Sequence, residues 1–317
     1  MKVFITREIP EIAFKLLRKN KIPFEYYKGN RPIPRKRLLK KVRDCDALIS
    51  LLTEKIDKEL IDGMSKCKII ANYAVGYNNI DINYAKKKKI IVTNTPDVLT
   101  ESTADLTMTL ALSCARRIIE GEKLLRDGKF NGWQPKLLLG TELKNKTFGI
   151  IGAGRIGSAV AIRARSFETN IIYFDGKRNV SLERRTGAKK VSLKKILVSA
   201  DFISIHLPLN DKNYHFINKD RLKLMKKNTI IINTSRGEII DETALIQRLK
   251  NNKLFAVGLD VFENEPKINP MLLKFPNVLV IPHLGSATKE ARDAMAILAV
   301  KNVINVLKRK PSLTPVF

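Results

Sequence analysis

The amino-acid sequence predicts an α/β protein with two parallel-sheet domains, on three observations. Short apolar runs alternate with amphipathic stretches, and this rhythm occurs twice, over residues 1–95 and again from residue 147. Strands that alternate with helices need crossover connections, which give a parallel sheet covered on both faces. The 317 residues exceed a single ordinary domain of roughly 100–200 residues.

In the first array, residues 3–6, 24–27, 47–51 and 69–73 read as strands, and 10–19, 34–42 and 55–64 as helices. Ile90-Ile91-Val92 adds a short strand. Thr95-Pro96 then punctuates, because the residue before proline is pushed out of the helical region. One long helix is expected over 101–127, closed by Gly128. The second array places strands at 147–151, 171–175, 202–206, 229–233, 256–260 and 278–281, with helices between several of them. A last long helix covers 288–308. No solenoid repeat and no low-complexity segment interrupts the pattern.

Composition narrows the functional classes. Hydrophobic residues make up 44% of the chain and charged residues 28%, as in a globular protein with a sizeable core. The opening Met1-Lys2-Val3-Phe4-Ile5-Thr6 reads as a strand rather than a secretion signal, since Arg7, Glu8 and Pro10 cut the apolar run early. No apolar stretch approaches the roughly 18 residues a membrane span needs, so no membrane partner is expected. Cys45, Cys67 and Cys114 are scattered, without CxxC spacing, and read as small apolar residues in a reducing, cytoplasmic compartment; no metal site is expected. Lys and Arg number 59 against 31 Asp and Glu, a formal net charge of +28. The basic residues are spread along the chain, as at Lys189-Lys190, Lys194-Lys195 and Lys226-Lys227, and only 7% of residues are aromatic. That distribution reads as a solvated basic surface rather than a nucleic-acid interface, although its field favours encounter with anions.

Gly152-Ala153-Gly154-Arg155-Ile156-Gly157 fits GxGxxG, with an apolar strand before it and a helical pattern after. The first glycine permits a tight turn, the second lets backbone approach a pyrophosphate, and the third lets helix pack on sheet. The helix N-terminus offers N–H groups and a partial positive charge to phosphate. Asp175 closes the next strand, 18 residues past Gly157, where a carboxylate accepts bonds from ribose hydroxyls and repels a 2′-phosphate. This favours NAD, while Lys177 and Arg178 leave NADP open.

A second constellation carries chemistry. Of three histidines, His206 and His283 both follow apolar strands, where ligands of open α/β sheets gather, and they compete equally as proton donors; His215 lies in a polar stretch. Arg236, in Asn233-Thr234-Ser235-Arg236-Gly237, has the planar fork that suits a carboxylate. Asp260, Glu263 and Glu265 follow another strand; any of them can pair with a histidine, and spacing does not choose among them.

The segments Thr234-Ser235-Arg236-Gly237, Gly258-Leu259-Asp260-Val261-Phe262-Glu263-Asn264-Glu265-Pro266 and Pro282-His283-Leu284-Gly285-Ser286 resemble the D-isomer-specific 2-hydroxyacid dehydrogenases over essentially the whole chain. Within that family the chain is most similar to glyoxylate/hydroxypyruvate reductases. The resemblance implies NAD(P)H-dependent reduction of a small 2-keto acid to the D-2-hydroxy acid. It puts His283 as proton donor, Glu265 on its other nitrogen and Arg236 on the substrate carboxylate. Formate dehydrogenases of the superfamily have Gln where Glu265 stands. The resemblance also implies that Val75 and Gly76, in the loop Asn72 to Asp81, and Leu52 border the substrate. Thr103, Arg155, Ile156, His206, Pro208, Thr234, Ser235, Asp260 and Gly285 join the glycines and Asp175 around the cofactor. Trp133 either reaches a neighbouring subunit's substrate pocket or packs in the interior.

The implied fold is two Rossmann/flavodoxin-like domains. A substrate domain of 1–97 and 287–317 holds an inserted nucleotide domain of 98–286, and the cleft closes by a hinge near Thr95-Pro96 and residues 285–288. A homodimer through residues 101–133 is expected. Two alternatives remain: a 3-phosphoglycerate dehydrogenase or other member of the family, and an NAD(H)-binding transcriptional co-repressor of the same fold.

Overall fold

Strands and helices alternate from the first residues of the computed structural model, which describes residues 1–317. The order begins β1 (Val3–Ile5), α1 (Glu11–Lys19), β2 (Phe24–Tyr26), α2 (Arg35–Val42), β3 (Ala47–Ser50), α3 (Lys58–Asp62), β4 (Ile69–Asn72), α4 (Ile82–Lys87) and β5 (Ile91–Thr93). Two helices follow, α5 (Thr100–Ala115) and α6 (Ile118–Arg126). The second array is β6 (Thr147–Ile151), α7 (Arg155–Ser166), β7 (Asn170–Phe174), α8 (Val180–Thr186), β8 (Lys189–Lys190), α9 (Leu193–Ser199) and β9 (Phe202–Ile205). It continues with α10 (Lys219–Leu224), β10 (Ile230–Asn233), α11 (Glu242–Lys250), β11 (Ala256–Leu259) and β12 (Val278–Val280), and α12 (Lys289–Leu307) closes the order.

The chain forms two compact units, Met1–Leu99 with Ala287–Phe317, and Thr100–Ser286. In the first, five parallel strands run in the order β2-β1-β3-β4-β5. The central strands β1, β3 and β4 are buried at every position, as expected of a sheet covered on both faces. The order reverses between β1 and β3, so the loops after β1 and β3 flank the switch point where such sheets take ligands, with the loop after β4 next to them. Helix α12 packs on α1, β3 and β4. Buried Asn302 on α12 accepts from the Leu313 N–H at 2.7 Å and the Thr314 N–H at 3.1 Å, and Val316 then donates to Val92 at 3.0 Å. The last residues thereby cover the exposed edge of β5.

In the second unit, seven parallel strands run β12-β11-β10-β9-β6-β7-β8. β6 has β7 on one side and β9 on the other, which makes the β6–β9 boundary its switch point. Aromatic Phe148 stacks on Phe202 across that boundary, with ring centroids 5.5 Å apart.

The structure corrects two elements. The single helix expected over 101–127 is two helices, because Arg117 takes a left-handed φ of 52° and the chain at Gly140-Thr141 returns to close α5. Thr141 N–H donates to the terminal Ala115 carbonyl at 2.9 Å. The helix expected over 55–64 shortens to α3, since the Asp57 carboxylate caps it through Leu60 N–H at 3.2 Å and Ile56 pairs with Ile80 instead. No helix is long and apolar enough to cross a membrane.

Candidate active site

The glycine turn joins β6 to α7. Gly152 has φ of +94°, and a Cβ there would lie 2.7 Å from the His206 carbonyl oxygen at the end of β9. A Cβ on Gly157 would lie 2.0 Å from the Gly152 oxygen, so the helix approaches the turn as closely as backbone allows. At Gly154 a Cβ would meet nothing within 4 Å, leaving open space at the helix N-terminus. Helix α7 starts on Gly154 and has no side-chain cap, as is also true of α1, α2 and α6. Open space before uncapped N–H groups fits the pyrophosphate of a dinucleotide. Arg155 and Ile156 form the first turn behind this opening. Asp175 follows β7, and its carboxylate accepts from Ala153 N–H at 2.8 Å and Lys177 N–H at 3.1 Å, which fixes it beside the turn.

Around the end of β10 an asparagine shapes the arginine turn. Asn233, fully buried, accepts at Oδ1 from Ser235 N–H and Oγ, at 3.0 and 2.8 Å, and donates to the Arg236 carbonyl at 2.8 Å. Thr234 Oγ1 lies 2.9 Å from Thr107 Oγ1 on α5. Burial lowers the Arg236 pKa, opposed by the charges of Glu265 and Glu238, so carboxylates already act on this guanidinium.

The carboxylates after β11 separate by partner. Glu265 Oε2 lies 2.9 Å from His283 Nδ1, and Glu263 Oε1 lies 2.7 Å from His215 Nε2. Burial raises the Glu265 pKa, but the hydrogen bond and charge of His283, the Phe262 N–H and the Arg236 charge overcome it and hold the carboxyl below its usual range. Asp260 is fully buried and accepts from Leu284 N–H at 2.5 Å and Gly285 N–H at 2.8 Å, while His283 N–H donates to the Asp260 carbonyl at 2.9 Å. This clamp holds His283 at a left-handed φ of 53°, a conformation costly for a non-glycine residue and concentrated at functional sites. Thr103 on α5 donates to the Gly285 carbonyl at 3.0 Å, beneath the same loop.

His206 does not share this role. Its Nε2 lies 2.7 Å from Ser204 Oγ, and desolvation pushes its pKa down to about 3, leaving the ring neutral at pH 7 with no proton to give from an imidazolium. Neighbouring Pro208 is exposed, and its carbonyl accepts from Asn213 Nδ2 at 3.0 Å. Trp133 is 84% exposed, which rules out the packed-interior alternative. Asn233 was not singled out in the sequence; its signal was an Asn opening an Asx-type turn between an apolar strand and Ser-Arg-Gly.

In the first unit, Val75 and Gly76 have their carbonyls tied to Asn94 Nδ2 and Asn72 Nδ2, each at 2.8 Å, and neither N–H donates within the chain. Leu52 is half-buried in the loop after β3, which Glu54 braces by accepting from Leu51 N–H at 2.8 Å and Thr6 Oγ1 at 2.6 Å.

Residues 108–285 match the model of the D-isomer specific 2-hydroxyacid dehydrogenase NAD binding domain. The chain belongs to the D-isomer specific 2-hydroxyacid dehydrogenases. It is 50% identical to a glyoxylate reductase of Thermococcus litoralis over 97% of this chain and 94% of that one. A glyoxylate reductase structure from Paecilomyes thermophila superposes with a TM-score of 0.90 at 32% identity, covering 100% of this chain and 98% of that one. A NADPH-dependent glyoxylate/hydroxypyruvate reductase from Sinorhizobium meliloti, solved with NADP and malonate, gives 0.88 at 32% identity, covering 99% and 96%. As a D-2-hydroxyacid dehydrogenase the chain is an NAD(P)-dependent oxidoreductase, and the glycine turn lies within the residues that match the NAD binding domain.

Proposed function

We propose that the chain reduces glyoxylate to glycolate, and less readily hydroxypyruvate to the D-2-hydroxy acid, in the cytoplasm, with His283 as proton donor. The observation that carries this reading is the 2.9 Å pair of His283 Nδ1 with Glu265, a carboxylate on which the Arg236 charge acts. Bound NAD(P)H supplies the hydride. Glu265 holds Nδ1, so Nε2 is the nitrogen left to give a proton to the carbonyl oxygen. Arg236 receives the substrate carboxylate through its fork and draws electron density from the carbonyl. The Val75 and Gly76 N–H groups, with Leu52 in the neighbouring loop, are donors and lining for a small carboxylate. Asp175, fixed at the end of β7, favours the ribose diol of NAD over the 2′-phosphate of NADP. Thr103, Thr234, Ser235, His206, Pro208, Asp260 and Gly285 border the cofactor, Asp260 through the loop it clamps. Exposed Trp133 and the apolar residues near it make a homodimer surface, with Trp133 turned to the partner's site.

Turnover of glyoxylate, hydroxypyruvate, pyruvate and phosphohydroxypyruvate with NADH and NADPH tests this reading, with glyoxylate and NADH expected to give the highest kcat/KM. A preference for phosphohydroxypyruvate would favour the phosphoglycerate branch instead. His283→Ala lowers kcat by about 10²–10⁴-fold, the range for a positioned acid. Arg236→Lys raises KM and lowers kcat, because a point charge does not reproduce the fork. Near-normal turnover in either variant would refute the assignment.

A further inference from the structure

The loop that carries Glu265 is held by a second carboxylate. Phe262 N–H donates to Glu265 Oε1 at 3.1 Å, and the next N–H, of Glu263, donates to Glu242 Oε1 at 2.7 Å. Glu242 is only 6% exposed and opens α11, immediately after its cap Asp241. The turn before α11 bears Arg236. At Gly237, a Cβ would lie 1.9 Å from the Phe262 carbonyl carbon and 2.3 Å from Glu263 N, so the two backbones are in direct contact there. The Arg236 turn and the Glu265 loop are therefore joined twice, by backbone at Gly237 and by the Glu242 side chain. Burial of a carboxylate disfavours the fold unless hydrogen bonds offset it, and a packed apolar residue of similar volume is often as stable or more so. Burial pushes the Glu242 carboxyl up; the Glu263 N–H opposes this, and the Glu263 and Glu238 charges reinforce it. What the carboxylate supplies in return is an acceptor of fixed reach at one backbone N–H.

We propose that Glu242 is a positioning residue whose reach to the Glu263 N–H sets where Glu265 meets His283, so that its length matters more than its charge. The inference deepens the proposed reaction by naming what aligns its proton donor. Gln keeps the reach and an acceptor oxygen but loses the charge; Asp keeps the charge but withdraws the acceptor by one methylene. Positioning therefore predicts that Asp is the more damaging substitution, and an electrostatic role predicts the reverse.

In glyoxylate reduction with NADH, E242D is expected to lose about ten- to a hundredfold in kcat, the scale of a misplacement near 1 Å, and E242Q only a few-fold. KM for NADH changes little in both. A readout free of turnover uses the small histidine count: with three histidines in the chain, ¹⁵N-histidine labelling resolves His283, whose Nδ1 signal shifts in E242D and less in E242Q. Equal losses in the two variants, or a milder Asp variant, overturn the inference, as do unmoved His283 signals in E242D. A wild-type chain that turns over no 2-keto acid overturns the reaction, while the histidine signals still decide whether Glu242 positions Glu265.

Discussion

The three histidines carry the same side chain into three environments, and the surroundings assign their chemistry. His283 and His215 each meet a carboxylate, at 2.9 and 2.7 Å, whereas His206 meets a hydroxyl and is desolvated. In sequence, His206 and His283 both follow an apolar strand, so the tie between them was not breakable there; burial and partner are properties of the folded chain. Motif resemblance alone preferred His283, and the 2.9 Å pair with Glu265 is the geometry on which the proposed role rests. His206 also yields a stability test. Its folded pKa is pushed down to about 3 from an ordinary 6.5, so the unfolded chain binds a proton that the folded chain refuses. Above pH 6.5 both states are neutral and nothing is lost. As pH falls from there towards 3, stability falls by up to about 1.4 kcal/mol per unit. Urea unfolding at pH 7 and pH 5 is expected to show a smaller acid loss in His206→Gln than in wild type. Equal losses would mean that His206 protonates freely in the folded protein.

At the scale of elements, regular signals were legible and irregular ones were not. The alternation of strand and helix, the glycine fingerprint and the breaking Thr95-Pro96 pair all obey local rules. The break between α5 and α6 follows no such rule: Arg116 and Arg117 suit a helix, and the left-handed turn at Arg117 is imposed by chain returning from residues 140–141. Glu242 was equally hidden, since an acid in the first turn of a helix is ordinary dipole complementation and only its 2.7 Å bond to the Glu263 N–H gives it another role. The fingerprint glycines separate packing from ligand approach. A Cβ at Gly157 would sit 2.0 Å from backbone oxygen, so Gly157→Ala should lower both Tm and NADH affinity. At Gly154 nothing lies within 4 Å, so Gly154→Ala should leave Tm nearly unchanged and still weaken NADH by about tenfold or more, by filling the phosphate approach. NADH fluorescence titrations beside thermal melts test this; a Gly154→Ala chain that binds NADH normally would displace the pyrophosphate from that opening.

At the scale of the molecule, the last helix joins the first sheet, a long-range return that no local pattern in α12 announces. The net charge of +28 was legible at once, but its consequence depends on which surface stays uncovered. Along and after α6 the chain exposes Ile118, Ile119, Leu125, Phe130, Trp133 and Leu139, a series of large apolar side chains that a single copy leaves in water. The acidic residues among them all pair within the same copy: Glu120 with Arg117, Asp127 with Lys123 and Lys129, and Glu122 with Arg126. A homodimer closing over this segment would gain from apolar burial and little from ion pairs across the interface. Opposing it is the long-range repulsion of two copies at +28 each, which salt screens over a Debye length of about 10 Å at 0.1 M. Association is therefore expected to tighten as salt rises, opposite to a dimer held by ion pairs. Sedimentation between low and moderate salt reads this directly, with Leu125→Lys and Trp133→Lys shifting the chain towards monomer. A dimer that loosens with salt, or one indifferent to both substitutions, would place the contact on another face.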